Sequence, residues 1–200
     1  MSPLIERIAA RIAPRDVKPP ADGRRRAAVA IVLRDADAHV LLMQRAARDG
    51  DPWSGQISLP GGGHHDSDGD LATTAIRETR EELGIDLVGA RMLGALETLA
   101  PFTSGPAGLE VTPFVFVAPA ACEPTLGPEA VGAFWLPLEL AASGALDDSY
   151  VYPQRQMTFP AWRYDGHVVW GLTRRILGEL LVLAGYDVTL GNPRAGLANK

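Results

Sequence analysis

Cysteine is nearly absent. Cys122 is the only one, so no disulfide can form within the chain, and the expected setting is reducing. Its thiol reads as a packed side chain rather than a reactive one. Long apolar runs are missing too: no stretch approaches the ~18–20 apolar residues that a membrane-crossing helix needs. Glu6, Arg7 and Arg11 interrupt the apolar residues near the start, which argues against a secretory signal. The expectation is a cytoplasmic protein. An excess of positive charge is lacking as well. The formal net charge is −5, so nothing global draws the chain to nucleic acid or to an anionic membrane. A phosphate-rich ligand would need a local basic or cation-filled site. No internal repeat, low-complexity tract or splitting linker is visible. What remains is 200 residues of ordinary composition, 46% apolar and 22% charged, enough for one domain with a single core.

The apolar pattern then predicts the elements. Leu4, Ile5, Ile8 and Ile12 lie on one face of a helix over Pro3 to Ala13. This helix either covers the core or pairs with a second subunit, so a homodimer is kept open. Pro14, Pro19 and Pro20 break it, and Arg24, Arg25 and Arg26 follow. Ala27 to Leu33 reads as a buried strand with a partner at His39 to Gln44 and a turn around Asp35 to Ala38. Ala46 to His65 is a long irregular stretch, and such loops in compact domains carry function. Asp70 to Leu83 has helical periodicity and ends at Gly84. Met92 to Leu99, Leu109 to Ala118 and Ala133 to Leu136 read as strands, with a short helix from Leu138 to Ser143. Ala161 to Tyr164 and His167 to Trp170 read as a hairpin around Asp165-Gly166, and Thr173 to Ala184 as a terminal helix. The tail after Leu190 is expected to fray. Mixed strands and helices make the class α/β (α+β).

The segment Arg77-Glu78-Thr79-Arg80-Glu81-Glu82-Leu83-Gly84-Ile85 carries the chemistry. Glu78, Glu81 and Glu82 stand at i, i+3 and i+4 and share one helix face. Three anions so close repel unless a cation sits among them, and hard oxygen donors suit Mg²⁺ or Mn²⁺. The alternative is a solvated acidic face balanced by Arg77 and Arg80. Arg77, four residues before Glu81, can orient it by an ion pair. Upstream, Leu59-Pro60-Gly61-Gly62-Gly63 enters the helix through a loop whose glycines let backbone approach a ligand.

Together these residues resemble the signature of the Nudix hydrolase family, G-x5-E-x7-R-E-U-x-E-E-x-G-U, with U bulky and apolar. Gly62 takes the first position, and Arg77, Glu78, Glu81, Glu82, Gly84 and Ile85 the second half. The family's middle Glu is missing, and the interval from Gly62 to Arg77 is one residue longer. Asp68 stands at the Glu position counted from Gly62, and Gly69 counted back from Arg77. Asp70 is the other nearby carboxylate and equally a natural N-cap. Thr79 replaces an apolar residue.

The lengthened loop, with Asp for Glu and Thr74-Ala75 ahead of Arg77-Glu78, looks like the coenzyme A pyrophosphatase branch. So do Leu41-Leu42-Met43-Gln44-Arg45, Gly55-Gln56-Ile57-Ser58-Leu59-Pro60-Gly61-Gly62, and Val169-Trp170-Gly171-Leu172-Thr173. The spacer between the first two departs from the branch, with Arg48 the nearest candidate for its second basic residue. The resemblance spans roughly residues 25 to 185. It implies a Nudix fold, a mixed sheet between helices, in one domain. It implies Mg²⁺- or Mn²⁺-dependent hydrolysis of the coenzyme A diphosphate to adenosine 3′,5′-bisphosphate and 4′-phosphopantetheine. Glu78 and Glu82 would be primary metal ligands, Glu81 a ligand or the water-orienting base, and Arg77 its holder. Glu129, ahead of a segment ending in Trp135, is a further candidate acid or ligand, and Glu97 a weaker one. Arg45 and Arg48, with Gly61 and Gly62, would hold substrate phosphates. His64 and His65 are expected near substrate or in solvent, because Mg²⁺ prefers oxygen. Trp53, Trp135, Trp162 and Trp170 are expected in packing. Two alternatives stay open: another nucleoside diphosphate derivative as substrate (ADP-ribose or a dinucleotide), and a Nudix-fold binding module without catalysis.

Overall fold

A computed structural model describes residues 1–13, 25–50, 53–100, 108–119, 122–152 and 157–190. The proline break at Pro14 to Pro20, Arg24 and the tail after Leu190 lie outside the described residues.

The chain opens with α1 (Pro3–Arg11), whose N-cap Ser2 accepts the Ile5 N–H and whose first position is proline, both favourable at a helix start. Strands β1 (Arg25–Arg34), β2 (His39–Arg45), β3 (Ile57–Ser58) and β4 (Gly61–Gly63) follow, then α2 (Leu71–Leu83). Next come β5 (Met92–Ala95), β6 (Leu109–Val117), β7 (Ala130–Pro137) and α3 (Leu138–Ala142). The chain continues with β8 (Asp147–Tyr152), β9 (Met157–Tyr164), β10 (His167–Trp170) and α4 (Gly171–Leu183).

The central sheet runs β3-β2-β1-β6-β5, with β4 on β1 and β7 on β2. β1 and β6 are parallel and the other pairings antiparallel, so the sheet is mixed. Successive β1 side chains point to opposite faces. Ala28, Ala30 and Val32 join one buried cluster with Leu71, Ala75 and Leu83 of α2. Ile31 and Leu33 join another with Leu4, Ile5 and Ile8 of α1 and Ile176, Leu177, Leu180 and Leu181 of α4. Burial on both faces explains why β1 reads as an unbroken apolar run. The apolar face of α1 therefore covers the core of its own chain. A second, antiparallel sheet, β10-β9-β8, packs Trp162 and Val169 into the α4-side cluster.

Several boundaries differ from expectation. The stretch from Ala46 to His65 contains β3 and β4; each is too short, and β4 too glycine-rich, to show a period. The strand expected to Leu99 stops at Ala95, and Leu99 makes only an isolated bridge to Val111. The strand expected at Ala133 to Leu136 spans Ala130–Pro137, with Gly132 concealing its start. β8, with Asp147, Asp148 and Ser149, shows no apolar pattern because much of it is exposed, and it went unforeseen.

Candidate functional site

Helix α2 is held at both ends. Asp70 is its N-cap, accepting the Thr73 N–H at 2.7 Å, so its carboxylate serves the helix. At the other end Gly84 adopts φ 66°, a left-handed cap suited to glycine. The Thr125 and Gly127 N–H groups donate to the carbonyls of Leu83 and Glu82 at 2.7 and 2.8 Å. Thr79, unexpected at an apolar position, is fully buried with its hydroxyl donating to the Ala75 carbonyl at 2.7 Å. That bond satisfies the hydroxyl within the helix.

The glycines of β4 bring the loop onto this helix. Gly61, Gly62 and Gly63 pair with Val29, Ala28 and Ala27. The Gly61 N–H donates to Glu82 Oε2 at 2.8 Å. A Cβ on Gly62 would lie 2.5 Å from the Glu78 carboxylate, so only glycine leaves Glu78 its place. Glu82 is 1% exposed. Burial pushes its pKa up to about 7; the Gly61 N–H opposes the shift and the charges of Glu78 and Glu129 add to it. Burial also raises Glu78, against the pull of Arg77. The charge of Arg45 also opposes the rise of Glu82.

Arg77 is the hub. Its Nη1 donates to Glu78 Oε1 at 2.8 Å and to Glu81 Oε2 at 3.0 Å, and its Nη2 donates to the Gly63 carbonyl at 3.1 Å. Its fork faces Asp68, with Nε to Oδ1 at 2.8 Å and Nη2 to Oδ2 at 3.1 Å. The guanidinium holds the Asp68 carboxyl well below the usual carboxylate range, and Asp68 in turn raises Arg77. Asp68, at the position of the missing Glu counted from Gly62, thus holds Arg77. A 3₁₀ turn over Asp66–Asp68 and the extra loop residue carry the shorter side chain to Arg77. Counting from Gly62 pointed to Asp68; only the turn decides between the two counts.

Glu129 sits just before β7, and Glu129 Oε1 lies 3.2 Å from Arg48 Nη2. Its carbonyl accepts the Ala46 N–H at 2.9 Å. Arg48, Glu129 and the end of β2 at Arg45 are thereby brought together beside the acidic face. Glu97 is exposed beyond the end of β5 rather than on a strand. Trp162 is fully buried, and Trp170 stacks on Tyr150 with centroids 4.2 Å apart. The His64 Nδ1 lies 2.8 Å from Thr74 Oγ1.

The donors suit a hard divalent cation: acidic oxygens on one helix face, one of them buried at the cost of its charge. Among the described residues no three His, Cys, Asp or Glu side chains converge on one point.

The NUDIX domain model matches residues 24–155, about two thirds of the chain. The Nudix hydrolase NudL of Citrobacter koseri is 34% identical over 167 residues, 81% of this chain and 84% of that protein. Its Yersinia pestis namesake is 34% identical over 161 residues, 78% of each chain. Among solved structures, a NUDIX hydrolase from Alicyclobacillus acidocaldarius superposes with a TM-score of 0.54 at 21% identity, covering 90% of this chain and 96% of that one. A MutT/nudix family protein from Enterococcus faecalis gives 0.52 at 15%, covering 84% and 63%. At such identities the structures speak for the fold alone, while the domain match and the relatives carry the family. With the glycine loop, the Arg77 hub and the three glutamates of α2 in the family's order, the chain belongs to the Nudix hydrolases.

Proposed function

We propose that the protein is a divalent-cation-dependent pyrophosphohydrolase that cleaves the diphosphate of coenzyme A or its derivatives. The observation carrying the cation-dependent chemistry is the pairing of buried Glu82 with Glu78 under the Gly61–Gly62 loop. Two carboxylates in one partly desolvated place ask for a cation. Mg²⁺ or Mn²⁺ held by Glu78 and Glu82, with Glu81 as a further ligand, would neutralise diphosphate charge and acidify water.

The chain's own residues do the rest. Arg77 keeps Glu78 and Glu81 spaced. Arg45 and Arg48 bind substrate phosphate through their forks, and Arg48 exchanges its contact with Glu129 for the substrate. Water adds to one phosphorus of the P–O–P bridge as the bond to the bridging oxygen breaks. The water proton passes to Glu81 or Glu129 as general base. Adenosine 3′,5′-bisphosphate and 4′-phosphopantetheine leave. Coenzyme A is favoured because the branch-like motifs form one structural unit. Thr173 Oγ1, at the start of α4, donates to the Ile57 carbonyl at 3.2 Å, joining the Trp170-Gly171-Leu172-Thr173 segment to the strand that leads into Gly61.

The test is a panel of coenzyme A, ADP-ribose, NADH, a diadenosine polyphosphate and 8-oxo-dGTP, with Mg²⁺ and with Mn²⁺, products separated by chromatography. Selective conversion of coenzyme A, lost in Glu82→Gln, is expected. Turnover of a different compound would retain the cation chemistry and discard coenzyme A. No turnover by folded, cation-loaded protein would favour a binding module.

A further inference from the structure

Arg77 is itself held by a buried chain of hydrogen bonds in which His64 and Thr74 have no assigned part. Thr74 is fully buried in the first turns of α2, and its Oγ1 lies 2.9 Å from Asp68 Oδ2 and 3.2 Å from the Asp70 carbonyl. His64 Nδ1 approaches the same Oγ1 at 2.8 Å. Asp68, whose side chain is 3% exposed, also accepts the His65 N–H at 3.0 Å. The protons can be assigned. Ionised Asp68 and the Asp70 carbonyl only accept, so the single Thr74 proton goes to one of them. Toward His64 the Thr74 oxygen is therefore an acceptor, and Nδ1 must carry a hydrogen. The direction runs from His64 Nδ1–H to Thr74 and from Thr74 O–H to Asp68. The Asp68 oxygens then face the fork of Arg77. The histidine backbone is pinned as well, its N–H donating to the Arg26 carbonyl at 2.8 Å.

We propose that Thr74 and His64 are positioning residues: they lock the Asp68 carboxylate, and through it the Arg77 guanidinium that spaces Glu78 and Glu81. This rests on the reading of those glutamates as the cation-holding face, and not on which nucleotide is cleaved. The physical reason is geometric. Arg77 bridges two glutamates from a single nitrogen, Nη1, so a small rotation of its plane shifts both carboxylates. Asp68 sets that plane by engaging Nε and Nη2 together. An Asp carboxylate has its own rotational freedom, which the Thr74 hydroxyl and the His65 N–H remove from the Oδ2 side.

Three variants of the full chain test this. Thr74→Val keeps the shape and removes the hydroxyl, Thr74→Ser keeps the hydroxyl, and His64→Phe keeps a ring without the donor. Mn²⁺ affinity is read by electron paramagnetic resonance. The Arg77 Nε–H signal is read by ¹⁵N NMR and identified by its loss in Arg77→Lys. Thr74→Val is expected to weaken Mn²⁺ binding about ten-fold, His64→Phe about three-fold, and Thr74→Ser to stay within about two-fold of wild type. In Thr74→Val the Arg77 signal should move or broaden, and kcat should fall with little change in KM. Thr74→Val with wild-type Mn²⁺ affinity and an unmoved Arg77 signal overturns the proposal. Weakening by Thr74→Ser equal to that by Thr74→Val also overturns it, because the methyl and not the hydroxyl would then matter. A wild-type protein that binds no Mn²⁺ strikes down the cation reading instead. The locking of Arg77 then stands or falls on the NMR signal alone.

Discussion

Glu82 is a carboxylate buried almost completely beside the glycine loop. It gives up water for one backbone N–H and sits near two other acids. Its folded pKa of about 7 lies above the ordinary 4.5, so the unfolded chain releases this proton first. Without cation, the contribution of Glu82 to stability should be fully present below pH 4.5 and be lost as pH rises through about 7. Glu82→Gln carries no such proton. In chelator, thermal melts from pH 5 to 8 should show the wild type losing ground to Glu82→Gln as pH rises. Added Mg²⁺ or Mn²⁺ should restore the wild type and leave the variant unchanged. Parallel pH curves for the two would show that burial of Glu82 costs the fold nothing.

At the scale of elements, the β4–α2 junction depends on two glycines for different reasons. A Cβ on Gly61 would lie 2.6 Å from Val29 Cα and against the Ala28 carbonyl, backbone that cannot move. A Cβ on Gly62 would strike only the end of the Glu78 side chain, at 2.5 Å. Gly61→Ala should therefore destabilise the protein by about 3 kcal/mol or more, as overpacking against rigid backbone does. Gly62→Ala should cost about 1 kcal/mol or less yet lower kcat/KM at least about ten-fold by displacing Glu78, the proposed cation ligand. Urea unfolding and steady-state kinetics on both variants separate the two effects. Equal loss of stability in both would mean that Glu78 is wedged as firmly as β1.

For the whole molecule, the two buried clusters on either side of the sheet divide the work. One packs α2 and so carries the acidic face; the other packs α1 and α4. Leu83 and Leu177 are both fully buried, and each change to Ala should cost roughly 2–5 kcal/mol. Leu83→Ala should also lower kcat well below its melting temperature, because it loosens the turn that holds Glu82. Leu177→Ala should leave kcat near wild type at the same temperature. Chemical denaturation and kinetics at matched fractions folded test this, and equal effects on kcat would show that the sheet does not insulate the site from the α4 side. Among the described residues no helix is long and apolar enough to cross a membrane.

The sequence alone determined the parts that depend on local order. Helix α2 with its end at Gly84, the shared face of Glu78, Glu81 and Glu82, and the buried β1 strand follow from residue spacing, because a helix or strand converts spacing directly into direction. Only the tertiary structure decided which carboxylate holds Arg77. Asp68, Gly69 and Asp70 are neighbours in sequence, and the 3₁₀ turn that chooses Asp68 gets its support from Thr74 and Arg77 on the next element. The same holds for the Glu129–Arg48 pair and the Thr173–Ile57 bond. These contacts join residues far apart along the chain, and no periodicity records them. β8 stayed illegible for a related reason: much of its surface faces water, so its position is set by pairing with β9 rather than by an apolar pattern.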